Sequence, residues 1–527
     1  MTGTEHQPED IALTPRRTSL VLGTVGLALM AVVSAVSGLN VALPSLARET
    51  GASQTDLTWI VDAYTVVFAG LLLFAGALGD RYGRRRLLVI GLLVFGAAAA
   101  GALFTSDPTQ LIGLRALMGV GAAGIMPTTL SVITTSFPAS ERPRAVGVWV
   151  GIAGGGAVLG LFASGLLLQS FEWQSFFGLN VALSIAALVG VLAFVPTSSD
   201  AHPPALDLIG ALLSLVAVAS TVFGIIEGPE LGWGDPLAVG GIVAGVLAAA
   251  AFIAWELRAE EPMLDPRLFC LRGLSAGTLT IAVQFFAAFG FFFAILQYLQ
   301  YVTGRSPLDA AIALLPMPLV MVPVARNAPR VASRVGFRRT APVGLGVMAV
   351  GLFLMSRLTI DSPYWYFVIG LVLFSFGMGL AGTPATTALT GALPASKQGV
   401  ASALNDVSRE LGSALGIAIL GSVINQHYRD AMAPAVAALP PAIADHVLSS
   451  IAFTTAPQAQ QLGAAGQKLV ANAQVAFVGG VSGALEVAAG LALLTAVAVR
   501  MLAPGVASAA IVADEPVDVP VAAPTAG

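Results

Sequence analysis

Charge is what this 527-residue sequence has least of: acidic and basic residues together make up only 10% of it, and there are four histidines and a single cysteine, Cys270. One thiol excludes an intrachain disulfide and carries no message about redox role. The histidines, His6, His202, His427 and His446, fall outside the apolar runs or at their edges. No His- or Cys-rich metal constellation, Walker loop or nucleophile motif is present, so the usual signatures of a metalloenzyme, a nucleotide-driven pump or a hydrolase are missing. A soluble chain carries about 25% charged residues, and this one has too little polar surface to cover a water-soluble body. Short alternating segments are also lacking, which excludes a transmembrane barrel. The N-terminus, "MTGTEHQPEDIALTPRR", is too polar and acidic for a secretory signal, so the first apolar run is expected to stay as a helix. The net charge of −4 says little, because basic loop residues rather than net charge set orientation.

What is abundant is apolar length. Hydrophobic residues make up 56% of the chain and the mean hydropathy is +0.86. Runs long enough to span a bilayer fall at about 19–43, 57–79, 87–104, 109–135, 144–168, 174–195, 207–227, 236–256, 273–301, 308–326, 339–357, 364–389, 399–424 and 474–500. With no water to satisfy their backbone they must be helices. An N-terminus in the cytoplasm puts Arg81, Arg84, Arg85, Arg86, Arg330, Arg334, Arg338 and Arg339, with most other basic residues, on the inner side. The outer loops then hold only Arg48, Arg305, Arg357, Arg429 and Lys468. That bias would collapse if one span were missed, so fourteen spans with both termini inside are expected.

The expected organisation is a cytoplasmic tail (1–18), a six-helix bundle (19–195), a Pro-rich cytoplasmic linker (196–206), two inserted helices (207–256) and a second six-helix bundle (257–502). The second bundle carries a long outer loop, 425–473, and a low-complexity tail, 503–527, expected to be disordered. The two bundles echo each other. "DRYGRRR" (Asp80 to Arg86) follows the second span and "SRVGFRR" (Ser333 to Arg339) follows the tenth, with Ser333 in place of the acid. Duplicated halves of this kind place a substrate site at their interface near the bilayer midplane.

These residues resemble the major facilitator superfamily, and within it the fourteen-span drug:proton antiporters of multidrug efflux type. "GALGDRYGRRR", with Gly76, Asp80, Arg81, Gly83, Arg84 and Arg85, is similar to the family's loop signature after helix 2, which implies a gating role. The helix beginning near Gly399 would meet Asp80 with the positive end of its dipole. A topological anchor is the plainer alternative. "LIGLRALMGVGAAG" resembles the helix-4 signature, with Arg115 in place and Met118 where glutamine is usual; the resemblance implies help with proton transfer, and a fixed internal ion pair is the alternative. Gly147, Gly156, Gly160 and Gly165 match the spacing of the helix-5 antiporter signature, although Leu161 replaces its proline and Ser164 a glycine. Close helix packing explains those glycines equally well.

A proton-coupled exporter needs an intramembrane carboxylate. Many relatives carry an aspartate on helix 1 where this sequence has Ala35, five residues before Asn40. The task then falls on Asp62, inside the second span and roughly 27 Å along the helix from Asp80. Burial of a carboxyl disfavours its charged form, which makes proton loading feasible; a structural acid paired to Arg115 is the rival reading. Asp406 and Glu410, one turn apart with Arg409 between them, form either an inner proton relay or a self-neutralised cluster. Glu486 is a lone acid in mid-span. Asp309 is expected to N-cap the tenth span. Helix 9 offers aromatics and amides, and Asn40, Tyr64, Gln284, Phe285, Phe289 and Asn405 are the candidates for lining a substrate cavity.

The expected protein is an all-α, fourteen-helix major facilitator fold in the plasma membrane. It would export hydrophobic or amphipathic compounds against inward protons by alternating access, as a monomer, with no enzyme activity, nucleic-acid partner, metal or cofactor. A dedicated exporter of an endogenous metabolite, antibiotic or lipid is the alternative.

Overall fold

A computed structural model of the chain describes residues 15–137, 141–197, 206–394, 398–455 and 463–504. Among these residues every regular element is helical. Thirteen helices are long and apolar enough to cross a bilayer. The remaining expected span, the fifth, is the 26-residue helix α6, of which Gly155–Leu167 is a continuous apolar run.

The first expected span is two helices, α1 (Pro15–Ser37) and α2 (Leu39–Thr50). The break falls at Gly38, where a side chain would lie 2.8 Å from the Gly160 carbonyl and 2.8 Å from the Phe176 ring, so only glycine permits that approach. Then follow α3 (Gln54–Tyr82), α4 (Arg84–Ala102), α5 (Pro108–Ser136), α6 (Arg142–Leu167) and α7 (Ser175–Phe194). Ser53 caps α3 in a capping box with Asp56, and Asp107 caps α5 with Pro108 at its first position, which is why these two helices start where they do. The inserted pair is α8 (Leu208–Leu231) and α9 (Pro236–Glu256).

The second half comprises α10 (Arg272–Gln297), α11 (Pro307–Ala313), α12 (Pro316–Val335), α13 (Phe337–Met355), α14 (Tyr364–Gly391), α15 (Gln398–Val436), α16 (Pro441–Ser449) and α17 (Gly463–Leu502). Three sequence expectations change here. The tenth span is interrupted between α11 and α12, with Pro316 opening the second piece. Its N-cap is Ser306, whose hydroxyl accepts from Asp309 N, so Asp309 sits one turn inside the helix. The outer loop 425–473 begins later than expected. α15 runs on to Val436 because Tyr428, Met432 and Val436 stay buried there and the Tyr428 hydroxyl donates to Val447 O on α16. The expected N-terminal tail, linker and C-terminal tail lie wholly or largely outside the described residues.

The sequence echo has a backbone counterpart. Gly83, between α3 and α4, and Gly336, between α12 and α13, both have positive φ, at 106° and 85°. The two arginine-bearing turns are therefore alike in the two halves.

Without a hydrophobic drive between helices in lipid, close packing depends on small residues. Gly121 lies 2.7 Å, by a hypothetical Cβ, from Gly91 O where α5 crosses α4. Gly412 and Gly416 bring α15 directly onto the backbone of α10 at Ala282 and Phe286. The inserted α8 packs on both halves. Ser214 donates to Gly70 O on α3, Trp59 on α3 donates to Glu227 at 2.7 Å, and Ser422 on α15 donates to Ile225 O at 2.6 Å.

The two halves meet tightly at the end of the bundle away from the Asp80–Arg86 turn. Asn425 Nδ2 donates to Thr55 Oγ1 at 3.0 Å, Gln300 Nε2 donates to Val41 O at 3.0 Å, and Leu308 on α11 seats against Gly165. At the arginine-rich end the halves part around a cavity of about 730 Å³. The structure is closed at one end and open at the other.

Candidate functional site

The open-end cavity is bounded by Gly76, Asp80, Arg84 and Pro127 from the first half and by Val400, Ser402, Ala403 and Asp406 from α15. Among the described residues Asp80 makes no contact with the start of α15. Its Oδ1 accepts from Arg84 Nε and Nη2 at 3.0 and 2.9 Å, one turn along the chain, and the cavity lies between it and Val400. Of the other loop residues, Arg85 Nη2 donates to Leu192 O, which ties α4 to α7, and Arg81 is exposed. Gly83 supplies the positive-φ turn, and Gly76 faces Pro127 at an ordinary 3.8 Å.

Deeper in the first half lie two buried ionisable groups that do not pair. Arg115 is fully buried. Its Nε donates to Ile60 O at 2.8 Å, Nη1 donates to Ala35 O at 3.2 Å, and its guanidinium stacks 4.4 Å from the centre of the Tyr64 ring. Backbone carbonyls and a ring face hold the cation, so the rival reading of Asp62 as a structural acid paired to Arg115 finds no such ion pair. Both oxygens of Asp62 are buried without a hydrogen-bond partner. Asp62 lies on the α3 stripe that faces the second half: Thr55 bonds Asn425, Thr58 lies against Gly421, and Val66 clusters with Ala414 and Ala418.

The central cavity, of about 210 Å³, lies between the halves. Asn40, Phe285 and Phe289 line it, joined by Ser37, Val158, Leu161, Phe162, Leu315, Met321 and Met378. Phe285 and Phe289 stack at 5.9 Å, and Arg409 lies 4.5 Å over Phe285. Arg409 and Glu410 both border this space and bring charge to a mainly apolar wall. Three candidates lie elsewhere. Tyr64 turns its hydroxyl to Val32 O beneath Arg115, Gln284 donates to Met378 O at 3.1 Å, and Asn405 donates to Asp406 beside Thr386. Asp406 borders the open-end cavity rather than the central one, so the two acids of "LNDVSRELG" face different spaces.

Glu486 is not a lone acid. Its carboxylate pairs with Arg357 at 3.0 Å, and both side chains are about half exposed (44% and 55%). Among the helix-5 glycines, Gly160 packs against Ser34 and Ser37, and Gly165 against Leu308 at 3.0 Å. Gly156 makes ordinary contact with Val33, while Gly147 has no neighbour within 4 Å. Close packing therefore explains Gly160 and Gly165 but not Gly147. The methionines Met126, Met317, Met321 and Met378 of the cavity wall were missed in the sequence, where no local signal separates a cavity methionine from a lipid-facing one.

Two pseudo-related bundles around a central cavity, closed at one end, find their counterpart in a family model described as Major Facilitator Superfamily, which matches residues 25–417. The chain belongs to the major facilitator superfamily. It is a multi-pass membrane transporter rather than an enzyme. Curated relatives in the superfamily include the multidrug efflux pump LfrA of Mycolicibacterium smegmatis, 32% identical over 487 residues that cover 92% of this chain and 96% of the relative. The puromycin resistance protein pur8 of Streptomyces alboniger is 35% identical over 390 residues, 73% of this chain and 77% of the relative. Among solved structures, a bacterial homolog of the human lysosomal transporter Spinster, inward-facing and unoccupied, superposes with a TM-score of 0.64. It is 17% identical and covers 94% of this chain and 100% of that one, which establishes shared fold.

Proposed function

We propose that this major facilitator protein exports hydrophobic or amphipathic small molecules in exchange for protons entering the cell, by alternating access in the plasma membrane. The arginine-rich end is cytoplasmic on this reading, with both termini inside, and the described conformation is inward-open. Relatives named as multidrug or antibiotic-resistance pumps support the substrate class.

The observation that carries the coupling is Asp62. An ionised carboxylate without a partner in such a site costs several kcal/mol, so the sealed outer end tolerates this side chain in its neutral form. When the outer end opens, outside water reaches Asp62 and supplies a proton. The neutral acid then packs against α15 and the outer seam closes. Release of the proton inward passes by the central cavity, where Glu410 is positioned to accept it, and Asp406 borders the cytoplasmic cavity beyond. Arg115, held by Ile60 O and Ala35 O beside this path, sets the local positive potential. The proton gradient is the driving force, and the chain works as a monomer with no cofactor.

To test this, the purified protein is placed in liposomes with an acidic exterior relative to the binding side, and efflux of a fluorescent cationic dye is followed. Gradient-driven efflux is expected for the unmodified chain and is lost in Asp62→Asn. Gradient-driven efflux that continues unchanged in Asp62→Asn sinks the assigned role.

A second reading, a dedicated exporter of one compound, is favoured by relatives named for single products, such as the cephamycin export protein CmcT of Amycolatopsis lactamdurans, 34% identical over 445 residues, 81% of this chain and 91% of the relative. Efflux of only one member of a broad chemical panel would select it.

A further inference from the structure

The seam between α6 and α12 is built differently from the seam on the opposite side of the bundle. There, α3 and α15 pack on each other and α8 covers both. Here, α6 meets the second half chiefly through α11, where Gly165 seats on Leu308, and it has no comparable packing on α12.

The exposed face of α12 carries Leu319, Val322, Arg326, Arg330 and Arg334, and Leu315 at its N-cap extends the row, at spacings of three and four that put them on one stripe. The stripe changes character along its length. Leu315, Leu319 and Val322 are 38%, 71% and 59% exposed, and Leu315 also lines the central cavity. The three arginines follow toward the cytoplasmic end, and none forms a salt bridge among the described residues. Arg330 Nη1 donates to Asn327 Oδ1, and no acid is engaged. On α6 the matching stripe is Gly147, Gly151, Gly155, Val158 and Phe162, with the same three-and-four spacing in the opposite direction. Val158 and Phe162 line the central cavity, and the three glycines have nothing within 4 Å. Leu315 both lines the central cavity and is exposed, so that cavity reaches the surface of the bundle at this seam.

We infer that the α6–α12 seam is a lateral entrance for amphiphilic anions taken from the bilayer, the apolar body lying between Val158, Phe162 and Leu315 and the acidic head on Arg326 and Arg330. Charge complementarity selects the head, since guanidinium groups hold carboxylate or phosphate oxygens by charge-assisted hydrogen bonds. Continuity with the central cavity makes the occupant a transport substrate. The inference rests on the exporter reading for its direction of transport and names the substrate class of that site.

The test uses the full chain in nanodiscs of neutral lipid. Binding of pyrene-labelled dodecanoate and pyrene-labelled dodecylammonium is followed by energy transfer from the protein's tryptophans. The unmodified protein is expected to prefer the carboxylate. Arg326→Gln with Arg330→Gln is expected to weaken carboxylate binding about tenfold, the loss of a charge-assisted hydrogen bond, and to leave the ammonium probe unmoved. Lysine at both positions is expected to keep the preference, which separates charge recognition from misfolding. Val158→Trp is expected to weaken both probes. Equal losses of both probes in the glutamine variant, no change for the carboxylate, or full competition by anionic phospholipid would overturn the inference. Ethidium efflux in the same variants keeps the two readings apart. Its absence from the unmodified protein, with carboxylate binding intact, removes the exporter reading alone. Efflux with no head-group preference removes the seam alone.

Discussion

Replacing Asp62 by leucine gives the sharpest test of the coupling scheme. The carboxyl is fully buried, neither oxygen has a partner, and its neighbours along the stripe are Thr58 and Val66 facing α15. A buried polar group left unsatisfied costs about 1–3 kcal/mol even when neutral. Leucine is close in shape and removes that cost only where the outer seam is closed, since in the outward-open state water would solvate the acid. The substitution should therefore favour the inward-open form by about 1–3 kcal/mol, a shift of roughly 5- to 150-fold in the equilibrium. Access is read from labelling of a cysteine placed at Ala403, which borders the open-end cavity, in a Cys270→Ser background. The expected result is faster labelling, no response of labelling to a proton gradient, and loss of gradient-driven efflux. Asp62→Asn should lose efflux with a smaller access change, because an amide stays unsatisfied in the same place. Slower labelling in Asp62→Leu, or a labelling rate still governed by the gradient, would refute the reasoning.

Other substitutions separate packing from chemistry. Gly160→Val would drive its side chain into Ser34 and Ser37, so a loss of about 1–3 kcal/mol is expected, read as reduced thermal stability in detergent, whereas Gly147→Ala, with open space around it, should be neutral. Glu486→Gln breaks only a half-exposed ion pair with Arg357, so a stability change under about 1 kcal/mol and unchanged efflux are expected; abolished efflux would return Glu486 to the coupling path. Trp59→Phe removes the hydrogen bond to Glu227 that ties α8 to α3, and its cost of about 1–3 kcal/mol should appear as faster proteolysis within the inserted pair.

Much of the architecture is present in local properties of the chain. The span count follows from apolar length and the arginine bias, since lipid forces each run to satisfy its own backbone. The duplication shows in two short turns whose glycines must take positive φ, so Gly83 and Gly336 announce the same turn in both halves. What is not local escapes. The break at Gly38 depends on how near Gly160 and Phe176 come, and the run of α15 to Val436 depends on what Tyr428 finds at Val447. Neither contact is encoded by neighbours in sequence.

The candidate site divides in the same way. Sequence alone determined that Asp62, Arg115, Asp406 and Glu410 are intramembrane charges in need of an explanation, because charge within an apolar run is costly wherever it falls. Only the tertiary structure decided their relationships. It holds Arg115 on carbonyls instead of Asp62, turns Glu410 to the central cavity and Asp406 to the open-end one, and gives Glu486 the partner Arg357. The physical reason is that hydropathy depends on residues one at a time, whereas pairing and cavity lining depend on which helix faces meet.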